Sequence, residues 1–229
     1  MMQTNPGTAI AALRHEIVRV GRSLFDRGYV HATAGNISVR IPPEAGGGYI
    51  ITPTDACLGF LAPDDLAWID NGGTQRAGLA ASKTLTLHRR IYSADASAQC
   101  IIHTHSTHLV ALTLQEPEGK GDLLPPITPY FVMKVGHVPR IPYHRPGDPS
   151  VADLVQLEIS RAHAAGRTLR AVMLDRLGPN VWHASPAQAM ATLEELEETA
   201  RLWCLCASRA TPLAAEHIEE LRRQFNAQW

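Results

Sequence analysis

The chain has no excess of charge of either sign. Its 229 residues include 21 Lys and Arg against 22 Asp and Glu, and the formal net charge is −1. A nucleic-acid backbone is held by a positive field, and this sequence has no basic surplus that would create one. We therefore expect no nucleic-acid partner.

Cysteine and long apolar runs are also scarce. The four cysteines form no CxxC pair, and four are too few for a disulfide framework. No apolar run approaches the roughly 20 residues that span a bilayer, and the first eight residues lack the charged and apolar parts of a secretory signal. We expect a cytoplasmic protein with reduced thiols and no membrane partner.

What the sequence does contain is typical of a globular α/β protein. Hydrophobic residues make up 45% and charged residues 19%, and no repeat or linker divides the chain. We therefore predict one domain over residues 1–229. Apolar spacing, capping residues and turns predict helices over about 10–24, 82–92, from 107, 149–166, 185–208 and 214–228, and strands over about 36–41, 49–52, 68–70, 100–102, 138–143, 170–174 and 181–182. The stretch around Pro125, Pro126 and Pro129 is predicted to be loop.

His103 and His105 follow the apolar run Cys100-Ile101-Ile102. Residues i and i+2 of a strand point to the same face, so two imidazoles would lie a few ångströms apart. Such a pair can chelate a borderline ion such as Zn²⁺. The alternative is that one histidine is a core residue and the other a surface residue, and the pair alone does not decide between them.

Two turns and one helix start have the composition of anion-binding sites. Small residues in Thr33-Ala34-Gly35-Asn36 and Thr52-Pro53-Thr54 let the backbone approach a ligand, while Asn and Thr supply hydrogen-bond donors. Ser82-Lys83 adds a hydroxyl and a charge at a predicted helix start. Each of these segments taken alone is equally consistent with an ordinary turn or cap.

Two further residues have a possible role in a site. Tyr130 is a candidate proton donor, although a buried ring with a bonded hydroxyl is the alternative. His144 lies in the polar, turn-rich segment PYHRPGD and is a candidate ligand, although a loop histidine is more often structural or exposed.

Taken in order, these motifs resemble the class II aldolase/adducin family. The order is TAGNIS, ITPT, a Ser-Lys helix start, IIHTHS, TPY, IPYHRPGD and LGP before a long helix, from about Ile10 to Ser208. The segments TPYFVMKVGHVP, PYHRPGD and LEELEETARL are most similar to the branch of 3-oxo-tetronate 4-phosphate decarboxylases.

The resemblance implies an α/β/α sandwich around a mostly antiparallel sheet, and a homo-oligomer, commonly a tetramer, with sites near subunit interfaces. By the same resemblance, His103 and His105 would hold Zn²⁺ or a similar divalent ion. The resemblance assigns the substrate phosphate to Asn36, Thr54 and Ser82, with Lys83 beside them, and proton donation to Tyr130.

The sequence departs from the family pattern at three places. Thr84 stands where the family usually has a catalytic Glu, and Leu177 stands where a His usually gives the third metal ligand. Asp55 stands where a Gly commonly follows the TPT segment. We predict His144 as the replacement ligand, with Asp175 as the second candidate.

These departures favour one reaction over others. An aldol reaction needs a base, whereas a 3-oxo acid loses CO2 without one and needs only charge stabilisation and a proton donor. Together with these departures, the resemblance to the decarboxylase branch implies decarboxylation of a phosphorylated 3-oxo sugar acid, 3-oxo-tetronate 4-phosphate, to dihydroxyacetone phosphate and CO2. The alternatives are a sugar-phosphate aldolase or epimerase and a non-catalytic adducin-like module.

Overall fold

A computed structural model describes residues 6–115 and 121–229 of the chain. Residues 1–5 and 116–120, which the single-domain prediction and part of the secretory-signal prediction also cover, lie outside the described residues. Within those ranges no helix is both long and apolar enough to cross a membrane.

One mixed sheet forms the centre of the molecule. Its strands are β1 (Asn36–Arg40), β2 (Tyr49–Ile51), β3 (Ala67–Ile69), β4 (Gln75–Ala77), β5 (Cys100–His103), β6 (Arg140–Ile141), β7 (Ala171–Leu174) and β8 (Gly178–His183). Their order across the sheet is β4-β3-β2-β1-β5-β8-β7-β6. Every pairing is antiparallel except that of β6 with β7.

Helices cover both faces of this sheet. They are α1 (Pro6–Asp26), α2 (Leu85–Ala94), α3 (Thr107–Gln115), α4 (Pro129–Lys134), α5 (Ser150–Ala164), α6 (Pro186–Leu205) and α7 (Ala215–Phe225). Side chains of α1 and α6 form one core with residues such as Ile37 and Ile102, and side chains of α2 and α5 form a second core with Ile101 and Trp182. The predicted α/β/α sandwich with a mostly antiparallel sheet is therefore confirmed.

The side chains of β5 alternate between the two faces of the sheet, and this alternation determines the face on which His103 lies. Ile102 packs on the α1 and α6 side, whereas Ile101 packs on the α2 and α5 side. Because successive strand residues point to opposite faces, His103 shares the α2 and α5 face with Ile101. The site predicted around His103 therefore lies between the sheet and these two helices.

Three elements differ from their sequence prediction. β4 was not predicted because Gln75, Arg76 and Ala77 are all exposed and show no apolar alternation. The short helix α4 was predicted as loop, but Thr128 caps it by accepting a hydrogen bond from the Phe131 N–H, with proline in its first turn. The N-cap of α2 is Thr84 rather than the predicted Ser82, so the helix begins two residues later, at Leu85.

Two glycines let neighbouring segments approach the end of β5. Gly35 has φ +87°, and a Cβ there would lie 2.7 Å from the His103 carbonyl oxygen. Gly178 has φ +140°, and a Cβ there would lie 1.9 Å from the Thr104 carbonyl oxygen. No side chain fits such distances, so these glycines bring β1 and β8 close to the two predicted metal ligands.

Candidate active site

A cavity of about 330 Å³ opens where β1, β5 and β8 meet the start of α2 and the loop before α5. It collects most of the residues predicted from the sequence motifs. The lining residues that the following paragraphs use are Asn36, Thr54, Asp55, Ser82, Lys83, Thr84, His103, His105, Arg145, Asp148, Leu177 and Asn180.

His103 and His105 face each other across the inner end of the cavity. Their ring centroids lie 5.1 Å apart in an edge-on arrangement. His103 Nδ1 lies 2.9 Å from the Pro179 carbonyl oxygen, which can only accept a hydrogen bond. The ring proton is therefore on Nδ1, and Nε2 keeps its lone pair for a ligand, as in metal-binding histidines anchored by a backbone carbonyl.

The surroundings keep both rings neutral. Burial and the nearby His105 lower the pKa of His103 to about 4, against a smaller opposing effect of the Pro179 carbonyl. Burial and the nearby His31 also lower the pKa of His105. Neutral imidazole is the form that binds a metal ion, so the pair is ready to bind a cation at neutral pH.

Asn36, His103 and Asn180 form a row across three neighbouring strands. The sheet register pairs His103 with Asn36 on β1 and with Asn180 on β8. Directly opposed residues of antiparallel strands point to the same face, with Cβ atoms about 4.5–5.5 Å apart. All three line the cavity and are buried. Asn180 was not among the predicted site residues, because it follows the LGP segment and belongs to none of the motifs described above.

The predicted anion-binding residues occupy the wall next to this row. The Thr54 N–H donates to the Ala80 carbonyl, and the Ser82 N–H donates to the Thr52 carbonyl at 3.2 Å. These bonds join the TPT segment to the Ser-Lys segment and place Thr54, Ser82 and Lys83 on one wall with Asn36. The structure thus brings together all four residues predicted to hold phosphate.

Thr84 and Asp55, two of the departures from the family pattern, also line the cavity. The Thr84 hydroxyl lies 2.9 Å from the Ser82 hydroxyl, so Thr84 contributes a short polar group where the family usually has a carboxylate. Asp55 has φ +55°, the left-handed conformation that glycine adopts without strain. That conformation explains why a glycine is common at this position.

The PYHRPGD segment reaches the cavity, but through other residues than His144. His144 is absent from the lining, and its Nδ1 bonds the Pro142 carbonyl at 2.7 Å. Arg145 and Asp148 line the cavity instead, with Arg145 Nε 4.0 Å from the Asp148 carboxylate. The loop turns this ring back onto its own backbone, so the position of His144 does not support the prediction that it is the third ligand.

Asp175, the second predicted replacement ligand, is also engaged elsewhere. Its carboxylate accepts two hydrogen bonds from the Arg140 guanidinium, at 2.9 and 2.8 Å, in a buried ion pair. Leu177 lines the cavity as an apolar, half-buried side chain. Across residues 6–115 and 121–229, no three His, Cys, Asp or Glu side chains lie close enough to share a metal ion.

Tyr130 does not reach the cavity of its own chain. It lies on α4, its side chain is 60% exposed, and it is absent from the lining. A role as proton donor within the same chain is therefore not supported by its position.

A buried polar layer supports the cavity from below. The Ser38 hydroxyl lies 2.8 Å from both His88 Nδ1 and the Tyr92 hydroxyl. Burial, together with charge on nearby His103, lowers the pKa of His88 to about 3. This layer was not predicted, because His88 lies within an ordinary amphipathic helix pattern in the sequence.

A family comparison matches residues 15–204 to the class II aldolase and adducin N-terminal domain. The chain is 49% identical to a 3-oxo-tetronate 4-phosphate decarboxylase of Cupriavidus necator over 224 residues, which cover 95% of this chain and 97% of that protein. It is 36% identical to the protein of the same name from Escherichia coli K12 over 213 residues, which cover 92% and 95%.

Solved structures of this family have the same fold as the chain. YgbL from Klebsiella pneumoniae, an aldolase/epimerase/decarboxylase by name, matches with a TM-score of 0.84 and 38% identity, covering 93% of this chain and 99% of that one. An L-fuculose 1-phosphate aldolase matches with a TM-score of 0.78 at 23% identity, which supports the fold alone.

Proposed function

The chain belongs to the class II aldolase and adducin family, and from this premise we propose that it is a carbon–carbon lyase that decarboxylates 3-oxo-tetronate 4-phosphate. The products are dihydroxyacetone phosphate and CO2. The relative from Cupriavidus necator carries that name at 49% identity over nearly its full length. We propose that residues 1–229 act as one domain of this family.

One observation carries the proposal: a single cavity holds an anion-binding wall and a pair of neutral histidines side by side. Asn36, Thr54, Ser82 and Lys83 offer donors and one positive charge for the phosphate. His103 and His105 lie next to them, where the C2 hydroxyl and C3 carbonyl of the same substrate would fall. The arrangement matches a short phosphorylated sugar acid.

His103 and His105 fit a divalent ion. Both are neutral, both line the cavity, and the hydrogen bond to Pro179 leaves His103 Nε2 free. We propose Zn²⁺, because imidazole is one of its preferred ligands. Such an ion would supply Lewis-acid stabilisation of the negative charge that develops on the substrate's C3 oxygen.

The residues of the chain account for the rest of the reaction. The bond from C1 to C2 breaks, C1 leaves as CO2, and its electron pair moves into the C2–C3 enediolate. A proton added at C2 then gives dihydroxyacetone phosphate. No base is needed to start this sequence, so Thr84 in place of a carboxylate is compatible with decarboxylation and less compatible with aldol chemistry.

Tyr130 is exposed and outside its own cavity, so as a proton donor it would act on a neighbouring copy. We therefore propose a homo-oligomer, a tetramer as is common in the family, in which Tyr130 of one copy faces the cavity of another. The exposed side chain is the support for this assignment. The four cysteines are free, which fits the proposed cytoplasmic location.

A non-catalytic module would need no open cavity. Leu177 and Thr84 line a space of about 330 Å³ rather than filling it. The retained polar residues around that space favour an enzyme over a scaffold.

The test is a coupled assay on the metal-supplemented protein with 3-oxo-tetronate 4-phosphate. We expect CO2 and dihydroxyacetone phosphate to appear in a one-to-one ratio. An enzyme that instead cleaves a ketose phosphate to an aldehyde would support the aldolase alternative. No CO2 with any divalent ion would refute the proposal.

A further inference from the structure

Asn180 is a buried amide without a hydrogen-bond partner among the described residues. Its side chain is 1% exposed, and neither Oδ1 nor Nδ2 has a partner within residues 6–115 and 121–229. Burying an unpaired amide costs free energy of folding. A valine at this strand position would fill the same space without that cost. A buried amide without a partner at the wall of a cavity is explained if a bound ligand supplies the missing contact.

The position of Asn180 specifies which ligand. The sheet register places it directly beside His103, on the same face and at the same level. The preceding residue, Pro179, gives the carbonyl that orients the His103 ring. Asn180 therefore belongs to the histidine end of the cavity.

Other side chains that might complete a metal site there lie outside the cavity, are engaged or lack a donor. Leu177 is apolar, His144 is absent from the cavity lining, and Asp175 is held by Arg140. The Asp148 carboxylate accepts from the Ser150 N–H and hydroxyl. Asn36, on the other side of His103, also has a buried oxygen without a partner among the described residues, but we assign it to the phosphate. Asn180 differs from it in that both amide atoms are buried and unpaired beside His103.

We infer that the side-chain oxygen of Asn180 is the third protein ligand of the divalent ion held by His103 and His105. This assignment rests on the proposed function, because that function is what calls for the ion. A cation selects the oxygen over the nitrogen of the amide, which fixes the orientation of the side chain.

This ligand set has a chemical consequence. Two imidazoles and one amide are all neutral, so they leave the full charge of the ion available to a bound anionic oxygen. Amide oxygen is also a harder donor than imidazole and suits Mn²⁺ or Mg²⁺ better than a third histidine would. We therefore expect a smaller preference for Zn²⁺ over Mn²⁺ than three histidines give.

The test is a binding titration of metal-free protein with Zn²⁺ and Mn²⁺ in competition with a chromophoric chelator. Asn180→Val should weaken binding of both ions by at least about tenfold, since even residues that only support a ligand cost that much. Asn180→Asp keeps an oxygen donor and should bind at least as tightly as the native chain. Asn36→Val removes the competing unpaired oxygen on the other side of His103. It should alter metal affinity by less than about twofold, because we assign Asn36 to the phosphate rather than to the ion.

Melting curves separate a lost ligand from a damaged fold. Metal-free Asn180→Val should melt no lower than the native chain, since it removes an unpaired amide, but should lose most of the stabilisation that metal gives. Unchanged affinity in Asn180→Val, equal losses in Asn36→Val, or no metal binding by the native chain would each overturn the inference. Because these readouts need no substrate, they are independent of whether CO2 is released.

Discussion

The two ends of the cavity differ in how closely they follow the pattern of the family. At the anion-binding end, the donors Asn36, Thr54, Ser82 and Lys83 are all present and lie on one wall, and the departure is Asp55 in place of the usual glycine. At the histidine end, His103 and His105 are kept, while Thr84 and Leu177 replace the usual acid and third imidazole. The difference indicates that the residues predicted to bind the phosphate are kept, whereas those predicted to act at the reacting carbons are replaced.

Chemistry explains why the histidine end can change. An aldolase and a decarboxylase of short sugar phosphates must both bind a phosphate group. Proton removal is required only of the aldolase, so a decarboxylase tolerates the loss of the acid. Stabilisation of the enediolate is required of both, which is consistent with the retention of the two histidines.

The largest expected effect comes from the histidine end. His103→Ala removes one of the two imidazoles and should lower Zn²⁺ affinity by more than about 100-fold, the upper end of what loss of a supporting residue costs. CO2 release should fall in parallel. Elemental analysis and the coupled assay measure the two effects.

His144→Ala is the matched control for this change. Its ring bonds its own backbone outside the cavity, so metal content and rate should stay as in the native chain. If His144→Ala lost the metal and His103→Ala kept it, the site would have to be sought elsewhere.

A smaller effect is expected at the anion-binding end. Lys83→Met and Ser82→Ala each remove a group predicted to bind the phosphate, and a hydrogen bond to a charged group contributes about 1.5–3 kcal/mol. KM for the phosphorylated substrate should rise by roughly 10- to 100-fold with kcat little changed, because uniform binding is lost. Steady-state kinetics measure both constants.

Lys134→Met gives the control for Lys83→Met, since Lys134 lies on α4 outside the cavity. It should leave both constants unchanged. A fall in kcat with constant KM in Lys83→Met would mean that this lysine acts in the chemical step. The distinction between a binding end and a reacting end of the cavity would then be wrong.

The sequence predicted the sheet and most helices, since their patterns are local. The AGN, TPT and Ser-Lys segments were predicted as one site only through the resemblance, and the sheet does bring them together. The sequence could not show that His144 turns onto Pro142 or that Asp175 is held by Arg140, because both depend on loop conformation and distant partners. Asn180 was missed because a lone asparagine in a strand has no local signal. Its importance comes from its register with His103.

The smallest effect concerns His88, which lies beneath the cavity and touches Ser38, two residues from Asn36. Burial and the charge of nearby His103 lower its pKa to about 3, below the ordinary value of 6.5. The unfolded chain therefore binds a proton at this residue between pH 6.5 and 3 while the folded chain does not, so stability falls as pH drops through that window. Between pH 7.5 and 5.5, His88 should cost about 1 kcal/mol of unfolding free energy. In His88→Gln this part of the pH dependence should disappear. The control is His108→Gln, because the His108 ring is partly exposed beside Glu197 on the other side of the sheet. In that variant the contribution of His88 should remain. Urea unfolding at the two pH values measures the difference. If His88→Gln keeps the full pH dependence, other groups account for it and His88 is not buried in its neutral form beneath the cavity.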